Sequence, residues 1–458
     1  MAVAATRAIL LTAKDDVAAV LGALPANGEV SVTLSTSGEV QRPLTARCAI
    51  PFGHKIAVRP LVVGQKIIRY GYPIGVATRD IGEGEHVHSH NMRSLLSPAD
   101  PHSGDDRILH DAAQLRDLVT ACLRAAGATE PAARAMADAL TEAHLRGVET
   151  HGLRRLRPYI ERIRAGGVDA AAEPAIEHHQ ALIRVDGRNG IGHYVAQRAA
   201  AAAVDAARRL GIAIALIRNS NHFGFAGYYA GLIARSGQLG LVISNGQVCV
   251  APEGRMRPFL SNNPLAIAAP TGDPDAFLEL DLATSVTSRA NVVQAAKNGQ
   301  RLPPGWAQDN EGRMTRDAAA ALDGSLLALA GDRGFALLFA LEAMTGVLAG
   351  GAYADQVSSK ESAPHAPEGT AHTIIAIDLD LALGTATYAA RLDDMIARLR
   401  AVPGDAARPV RYPGERRWRL RRQRLRDGIP LAKADADDLM KLAAELGVTV
   451  DPALTGSR

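Results

Sequence analysis

The stretch IAIALIRNSNHFGFAGYY, residues 212–229, organises the reading of this chain. Residues 212–217 are an apolar run of strand character. His222 follows it, and small residues stand at 224, 226 and 227, so the imidazole is expected to emerge at a strand end beside backbone that a ligand can approach closely. Upstream, DGRNGIGHYVA (186–196) has glycines at 187, 190 and 192, which is not the GxGxxG spacing, and no acidic residue stands at a strand end about twenty positions on. The turn that cradles a dinucleotide in doubly wound sheets is therefore missing, and any dinucleotide must be held another way.

Further upstream, DAAQLRDLVTACLRAAG and EPAARAMADALTEAHLRGV repeat apolar residues at three- and four-residue intervals, which predicts amphipathic helices. Thr129 before Glu130 and Pro131 is an expected N-cap and first turn. Downstream, the strand-like runs LGLVISN, PLAIAAP, FLELDLAT and HTIIAIDL alternate with helical ones, so the fold class is α/β or α+β. Residues 1–96 differ. VSVTL, KIAV, KIIRYGYPIGVAT and HVHSH are short β-rich segments punctuated by glycines, as expected of a small all-β domain. SPADPHSGDD has linker composition, and the domains are placed at 1–96, 97–108 (linker) and 109–458.

At 458 residues two or three folding units are expected. The formal charge of +3 is small for this length and asks for neither nucleic acid nor an acidic membrane surface. The arginine-rich run at 415–428 is expected to be a solvated helix with Trp418 and Leu425 packed inward. Cys48, Cys122 and Cys249 are odd in number and far apart, which fits a reducing compartment. With no secretory signal pattern and no span-length apolar stretch, a soluble, cytoplasmic protein is expected.

In RGVETHGLRRLRPY (146–159), His151 follows a helix, with Arg155 four residues on. A histidine can exchange a proton near neutral pH, and an arginine can hold a carboxylate through two parallel hydrogen bonds. Together they would suit the reduction of a 2-oxo acid. Taken alone each segment is weak, since a strand-end histidine is more often structural or merely surface.

Seven segments in order, RGVETHGLRRLRPY, IRNSNHFGFAGYY, VAPEGRMRPFLSNNPLAIAAP, DLATSVTSRANVV, LPPGWAQDNEGRMTRDAAAAL, GDRGFALLFALEAMTGVLAGG and RYPGERRWRLRRQRLRDGIPL, resemble the non-Rossmann malate/L-lactate dehydrogenase family. The resemblance runs from about residue 109 to the end. It implies NAD(P)-dependent hydride transfer at C2 of a small 2-hydroxy or 2-oxo acid, and a homodimer. His151 and Arg155 match the family's SHG-x-x-R positions, with Thr150 for the serine, and His222 matches its N-H-x-G histidine. His222 is favoured as the proton-transferring residue, with His151 and Arg155 orienting the carboxylate. The same resemblance implies cofactor contacts, with NAD or NADP, at Asp281, Leu282, Ala283, Thr284, Asn263, Pro264, Arg333 and Gly334.

Departures stand beside the matches. The usual L-G-T-N-P reads Leu260, Ser261, Asn262, Asn263, Pro264, and Gly246 stands where a hydroxyl often touches the nicotinamide. Ala290 and Asn291 replace a Gly-Lys, and Arg333, Gly334, Phe335 and Ala336 replace K-G-x-G. Altered cofactor preference or lost activity is the alternative these substitutions leave open.

IPFGHKIAV, IIRYGYPIGVATRDI and GEGEHVHSHN resemble the β-clip, SAF-type domain of altronate dehydratases and the small subunit of sulfolactate sulfo-lyases. His86, His88 and His90 alternate along one expected strand, with His54 from elsewhere; they are read as an exposed polar face, a transition-metal set or an anion contact, and no metal is assigned. Two classes compete with the dehydrogenase: a lyase or dehydratase component, and a sugar-acid sensor with a decayed cofactor site.

Overall fold

The computed structural model describes residues 6–454 apart from 11, 13, 36–39, 70, 71, 89, 95–106, 360, 361, 404–409, 452 and 453. Two compact units divide the chain, Met1–Asp105 and Asp106–Arg458. Residues 97–106 of the expected linker lie outside the described residues, and Arg107 and Ile108 belong to a strand, Arg107–His110, paired with Ile429–Ala432.

The first unit is all β. Its larger sheet has six strands in the order Val40–Thr45, Glu29–Leu34, Thr6–Leu10, Val17–Val20, Lys55–Ala57, His86–Val87; Lys66–Arg69, Tyr72–Ala77 and Met92–Ser94 make a second sheet. Short strands with alternating burial carry two small cores, one around Ala8, Val30 and Ile56, the other around Leu61, Ile67 and Val87. The expected strand through residues 86–90 is shorter than its alternation implied, since only His86–Val87 pairs before the chain turns.

In the second unit a seven-stranded sheet runs in the order Ala175–His179, Leu182–Asp186, Ile212–Ser220, Thr370–Asp378, Gln238–Ser244, Leu265–Pro270, Phe277–Leu282. Leu182–Asp186 and Ile212–Ser220 are parallel, joined by the helix Gly192–Leu210; every other adjacent pair is antiparallel. That topology has no doubly wound half, in keeping with the missing GxGxxG turn. The crossover helix lies close to the sheet because its inner face is alanine: Ala199, Ala203, Ala206 and Ala207 are fully buried against Ala213, Ala215 and Ile374. The glycines of 187–192 serve the same closeness. A Cβ at Gly192 would lie 2.0 Å from the Asn221 carbonyl oxygen and one at Gly187 2.8 Å from that of Asn219.

Thr129 caps the helix Glu130–Leu145 as its sequence implies, accepting from the Ala132 amide. The helix ends in a buried ionic network. Arg146, only 2% exposed at its side chain, pairs with Glu142 (2.8 Å) and Glu279 (3.0 Å). Arg417 pairs with Glu279 (2.8 Å) and Asp281 (3.1 Å), and Arg421 with Glu142 (2.6 Å). Both arginines come from the helix Glu415–Asp427, so this run is not simply a solvated face. Its arginines reach inward to carboxylates, Trp418 is buried beneath the Arg146 guanidinium, and Leu425, expected inside, is 47% exposed. Charge complementarity rather than apolar spacing orients this helix. No helix among the described residues is long and apolar enough to cross a membrane.

Breaking a buried ion pair leaves an uncompensated charge, at a cost of about 3–5 kcal/mol, whereas exposed pairs contribute about 0–1 kcal/mol. Arg146→Ala is expected to lower the urea unfolding midpoint sharply, and Arg398→Ala, at an exposed pair with Asp394, to leave it nearly unchanged. Equal shifts in circular-dichroism melts of the two variants would contradict the network's role.

Candidate active site

The strand Ile212–Ser220 delivers Asn221 and His222 to the end of the sheet. Asn221 is buried, and its Nδ2 donates to the carbonyls of Asn189 (3.1 Å) and Gly190 (2.9 Å) and to Asn189 Oδ1 (2.9 Å), fastening the strand end to the preceding loop. The His222 amide donates to Glu368 Oε2 at 2.9 Å. Glu368 is itself ion-paired, within the interior, to Arg162, which also donates to the carbonyls of Gly167 (3.1 Å) and Ala366 (2.9 Å).

Helix Leu156–Arg164 presents Tyr159 one turn before Arg162. Tyr159 Oη lies 2.6 Å from His222 Nδ1, and the Gly224 amide donates to the same nitrogen at 3.3 Å. Burial pushes the phenol's pKa well above its ordinary value, against the pull of Arg155, so the hydroxyl keeps its proton and donates. With an amide and a phenol both donating to Nδ1, the neutral ring carries its proton on Nε2. His151 lies parallel to His222, ring centroids 5.9 Å apart. Thr150 Oγ1 meets His151 Nδ1 at 3.0 Å, and Arg155 Nε donates to the Thr150 carbonyl at 2.9 Å. Threonine in place of serine therefore still supplies a hydroxyl to the histidine.

The structure thus gathers His151, Arg155 and His222, and adds Tyr159, Arg162, Asn221 and Glu368, which sequence reasoning did not single out. Tyr159 had a signal, being one helical turn beyond Arg155; Glu368, 146 residues from His222, had none. Tyr159, Arg162, Gly192, Asn221, His222 and Glu368 line a single cavity.

Two further histidines sit behind these groups. His193 is fully buried, its ring edge-on to Tyr159 at 5.1 Å, and neither ring nitrogen has a hydrogen-bond partner among the described residues. His372 bridges three strands, with Nδ1 2.8 Å from Ser244 Oγ and Nε2 2.9 Å from Ser220 Oγ, beneath the Phe223 ring.

The residues expected at the cofactor fall in a separate cluster. Asp281 and Leu282 end the strand Phe277–Leu282, and Ala283 leads into the turn that Thr284 closes through its amide and Oγ1 to the Asn262 carbonyl, each at 2.9 Å. Asn263 Nδ2 donates to Glu342 (2.7 Å) and to the Leu338 carbonyl (3.2 Å), while its Oδ1 is buried with no partner among the described residues. The Leu329 amide reaches the Thr284 carbonyl at 2.8 Å, which brings up the helix Asp332–Glu342 with exposed Arg333 and buried Gly334; a Cβ on Gly334 would collide with the Leu329 carbonyl. Pro264 joins the same region through its carbonyl, which accepts from the Ser244 amide at 3.3 Å. The Asp281 carboxylate turns instead toward Arg417, and burial, outweighing that arginine, raises its pKa. Two sequence departures face each other: a Cβ on Gly246 would stand 3.1 Å from Ser261 Oγ, so the hydroxyl at 261 fills space a side chain at 246 would take.

A histidine whose Nδ1 meets a tyrosine hydroxyl and a backbone amide, flanked by a second histidine and an arginine, is an arrangement suited to proton exchange. Residues 110–440 match the malate/L-lactate dehydrogenase family, and the chain belongs to it; residues 6–95 match the altronate/galactarate dehydratase SAF domain. The malate dehydrogenase of Pyrococcus abyssi is 33% identical over 348 residues, covering 73% of this chain and 94% of its own length. The (2R)-3-sulfolactate dehydrogenase (NADP(+)) of Chromohalobacter salexigens is 34% identical over 328 residues, 71% of this chain and 95% of its own. The structure of malate dehydrogenase from Pyrococcus horikoshii superposes with a TM-score of 0.69 at 28% identity, over 76% of this chain and 98% of that one. The family makes this an NAD(P)-dependent 2-hydroxyacid dehydrogenase by class.

Burial holds the pKa of His144 at about 4 and those of His193 and His372 at about 3, so all three are neutral in the folded chain. The unfolded chain binds these protons below pH ~6.5, so stability is full above that value and falls as pH drops toward the folded-state values; at pH ~5 each histidine costs ~2 kcal/mol relative to pH ~7. In His193→Phe the loss of stability between these two pH values should shrink by about that amount, measured by urea unfolding at both. An unchanged loss would show that His193 takes up its proton within the fold.

Proposed function

We propose that this chain reversibly interconverts a small 2-hydroxy acid and its 2-oxo acid, with His222 exchanging the proton and NAD or NADP as the redox partner. The observation carrying the reading is the pair of donors at His222 Nδ1, which leaves the proton on Nε2. In the reducing direction the ring takes a proton from solvent at Nδ1, the Tyr159 hydroxyl turning to accept from it without losing its own proton, and the Nε2 proton passes to the carbonyl oxygen as that oxygen gains charge, leaving the ring neutral. Arg155, anchored at Thr150, holds the substrate carboxylate, and His151 orients it. Glu368 and Arg162 keep the His222 backbone in place.

The residues of the second cluster fit the dinucleotide. Asn263 has a buried acceptor that lacks a donor, Thr284 closes the turn beside it, and Arg333 brings an exposed guanidinium suited to a phosphate. Ala283, Leu282, Pro264 and Gly334 complete the wall, and Ser261 supplies the hydroxyl that Gly246 lacks. When bound, the dinucleotide supplies or accepts the hydride. Asp281, engaged with Arg417, serves the wall through its backbone.

The substrate class we favour is sulfolactate or a sugar-derived 2-hydroxy acid, supported by the sulfolactate-oxidising relative and by the dehydratase-type first unit; malate or lactate is next. A homodimer is the assembly we propose. Oxidation of NADH and NADPH is measured against sulfopyruvate, oxaloacetate, pyruvate and diketogulonate. His222→Ala is expected to lower kcat by about 10²- to 10⁴-fold, Tyr159→Phe to lower kcat with little change in KM, and Arg155→Lys to raise KM about tenfold by losing the bidentate clamp. Silence across the panel, together with no dinucleotide binding by calorimetry, would overturn the reading in favour of a lyase component or a sensor.

A further inference from the structure

The first unit gathers four histidines. His54 and His86 lie 32 residues apart in sequence, yet His54 Nδ1 is 2.8 Å from His86 Nε2. Ring centroids are separated by 5.0 Å for His54–His86 and His54–His88, 5.5 Å for His86–His88, 5.2 Å for His86–His90 and 6.5 Å for His88–His90. Strand pairing begins the arrangement: Ile56 sits opposite His86, and His54 lies two residues before Ile56, on the same side of the ladder. Asn91 completes it. Fully buried, it accepts the His88 amide on Oδ1 (2.9 Å) and donates from Nδ2 to the His86 carbonyl (2.9 Å), which folds the chain after the strand so that His88 and His90 return beside His86. His54 is buried and His90 exposed, so the cluster runs from the interior to the surface.

We propose that this cluster is a binding site for a small oxyanion, the carboxylate, sulfonate or phosphate group of an acidic metabolite. Imidazole N–H groups are its donors, with His54 and His86 at the floor and His90 at the mouth. The charges acting most on His86 are all basic, from His54, His90, His88 and Lys55. The nearby carboxylate of Glu85 is directed to Arg79 (3.2 Å) and to the Gly82 amide (3.0 Å). Where these groups are protonated, their field repels a cation and attracts an anion. Without a ligand, burial first and then the neighbouring bases keep His86 unprotonated, with a pKa of about 4. A bound anion opposes both effects, so His86 takes one proton from solvent and the contact becomes a charge-assisted hydrogen bond. Affinity therefore falls as pH rises. The site stands independently of the oxidoreductase reading, since its residues all belong to the first unit.

The test is titration calorimetry of the full-length protein with inorganic phosphate and, separately, methanesulfonate, at about pH 6 and about pH 8, repeated in buffers of different ionisation enthalpy to count protons. Expected are a Kd of about millimolar at the lower pH, at least about tenfold weaker at the higher, and proton uptake on binding. His86→Gln/His88→Gln should weaken binding at least about tenfold, and the exposed His90→Gln, which leaves the packed floor intact, severalfold. NADH binding should be unchanged in both, which separates this site from the phosphate-binding region near Arg333. Anion binding that is absent, or that survives both substitutions, would overturn the proposal. So would tight binding of zinc chloride, lost in the same variants, which would make the cluster a metal site.

Discussion

The backbone amide of His222 points at a carboxylate, and that carboxylate is held by a buried guanidinium. Much of the site's geometry follows from this contact. Glu368 arrives just before the central strand Thr370–Asp378, and Arg162 comes from the helix that also carries Tyr159, so one ion pair joins the sheet, the helix and the histidine backbone. An ion pair removed from water is costly unless its remaining donors are satisfied. Here the carbonyls of Gly167 and Ala366 take up further guanidinium hydrogens. The phenol of Tyr159 then meets Nδ1 rather than Nε2, and with the Gly224 amide on the same nitrogen it favours the tautomer protonated on Nε2. Asn221 makes the same placement from the other side, through its three bonds to the loop at 189–190.

What was legible in the amino-acid order was local. Thr129 announced a helix cap, the Ala-rich period announced helices, and the strand-to-small-residue change after residue 217 located His222. The GxGxxG turn is missing and the sheet is not doubly wound, and the glycines at 187 and 192 find their use in close passage of backbone past residues 219 and 221. What was not legible depended on partners distant in sequence. Nothing in the neighbourhood of Glu368 marks it as the acceptor for His222. The arginines of 415–427 look like a solvated stripe until Glu142 and Glu279 are placed beside them, and for that reason Leu425 was expected inside and lies outside. Asp281 shows a different limit: a motif position can be recognised while its side chain is committed to Arg417.

The departures from the family pattern also change meaning in three dimensions. Read along the chain, Gly246 is a lost hydroxyl and Ser261 an added side chain where a glycine is usual. In space the two are neighbours, since a Cβ added at Gly246 would stand 3.1 Å from Ser261 Oγ. A hydroxyl thus stands in the region on a different stretch of backbone.

The order of strands in the large sheet bears on how the chain is made. Thr370–Asp378, the last of the seven in sequence, lies between Ile212–Ser220 and Gln238–Ser244. A nascent chain that has emerged only as far as residue 360 therefore holds two half-sheets, each with a long apolar edge whose amides and carbonyls lack partners. Such edges recruit strands from other chains. Glu368 and His372 arrive with the missing strand, so closing the sheet also brings the acceptor of the His222 amide into place, and a chain truncated before it exposes both edges.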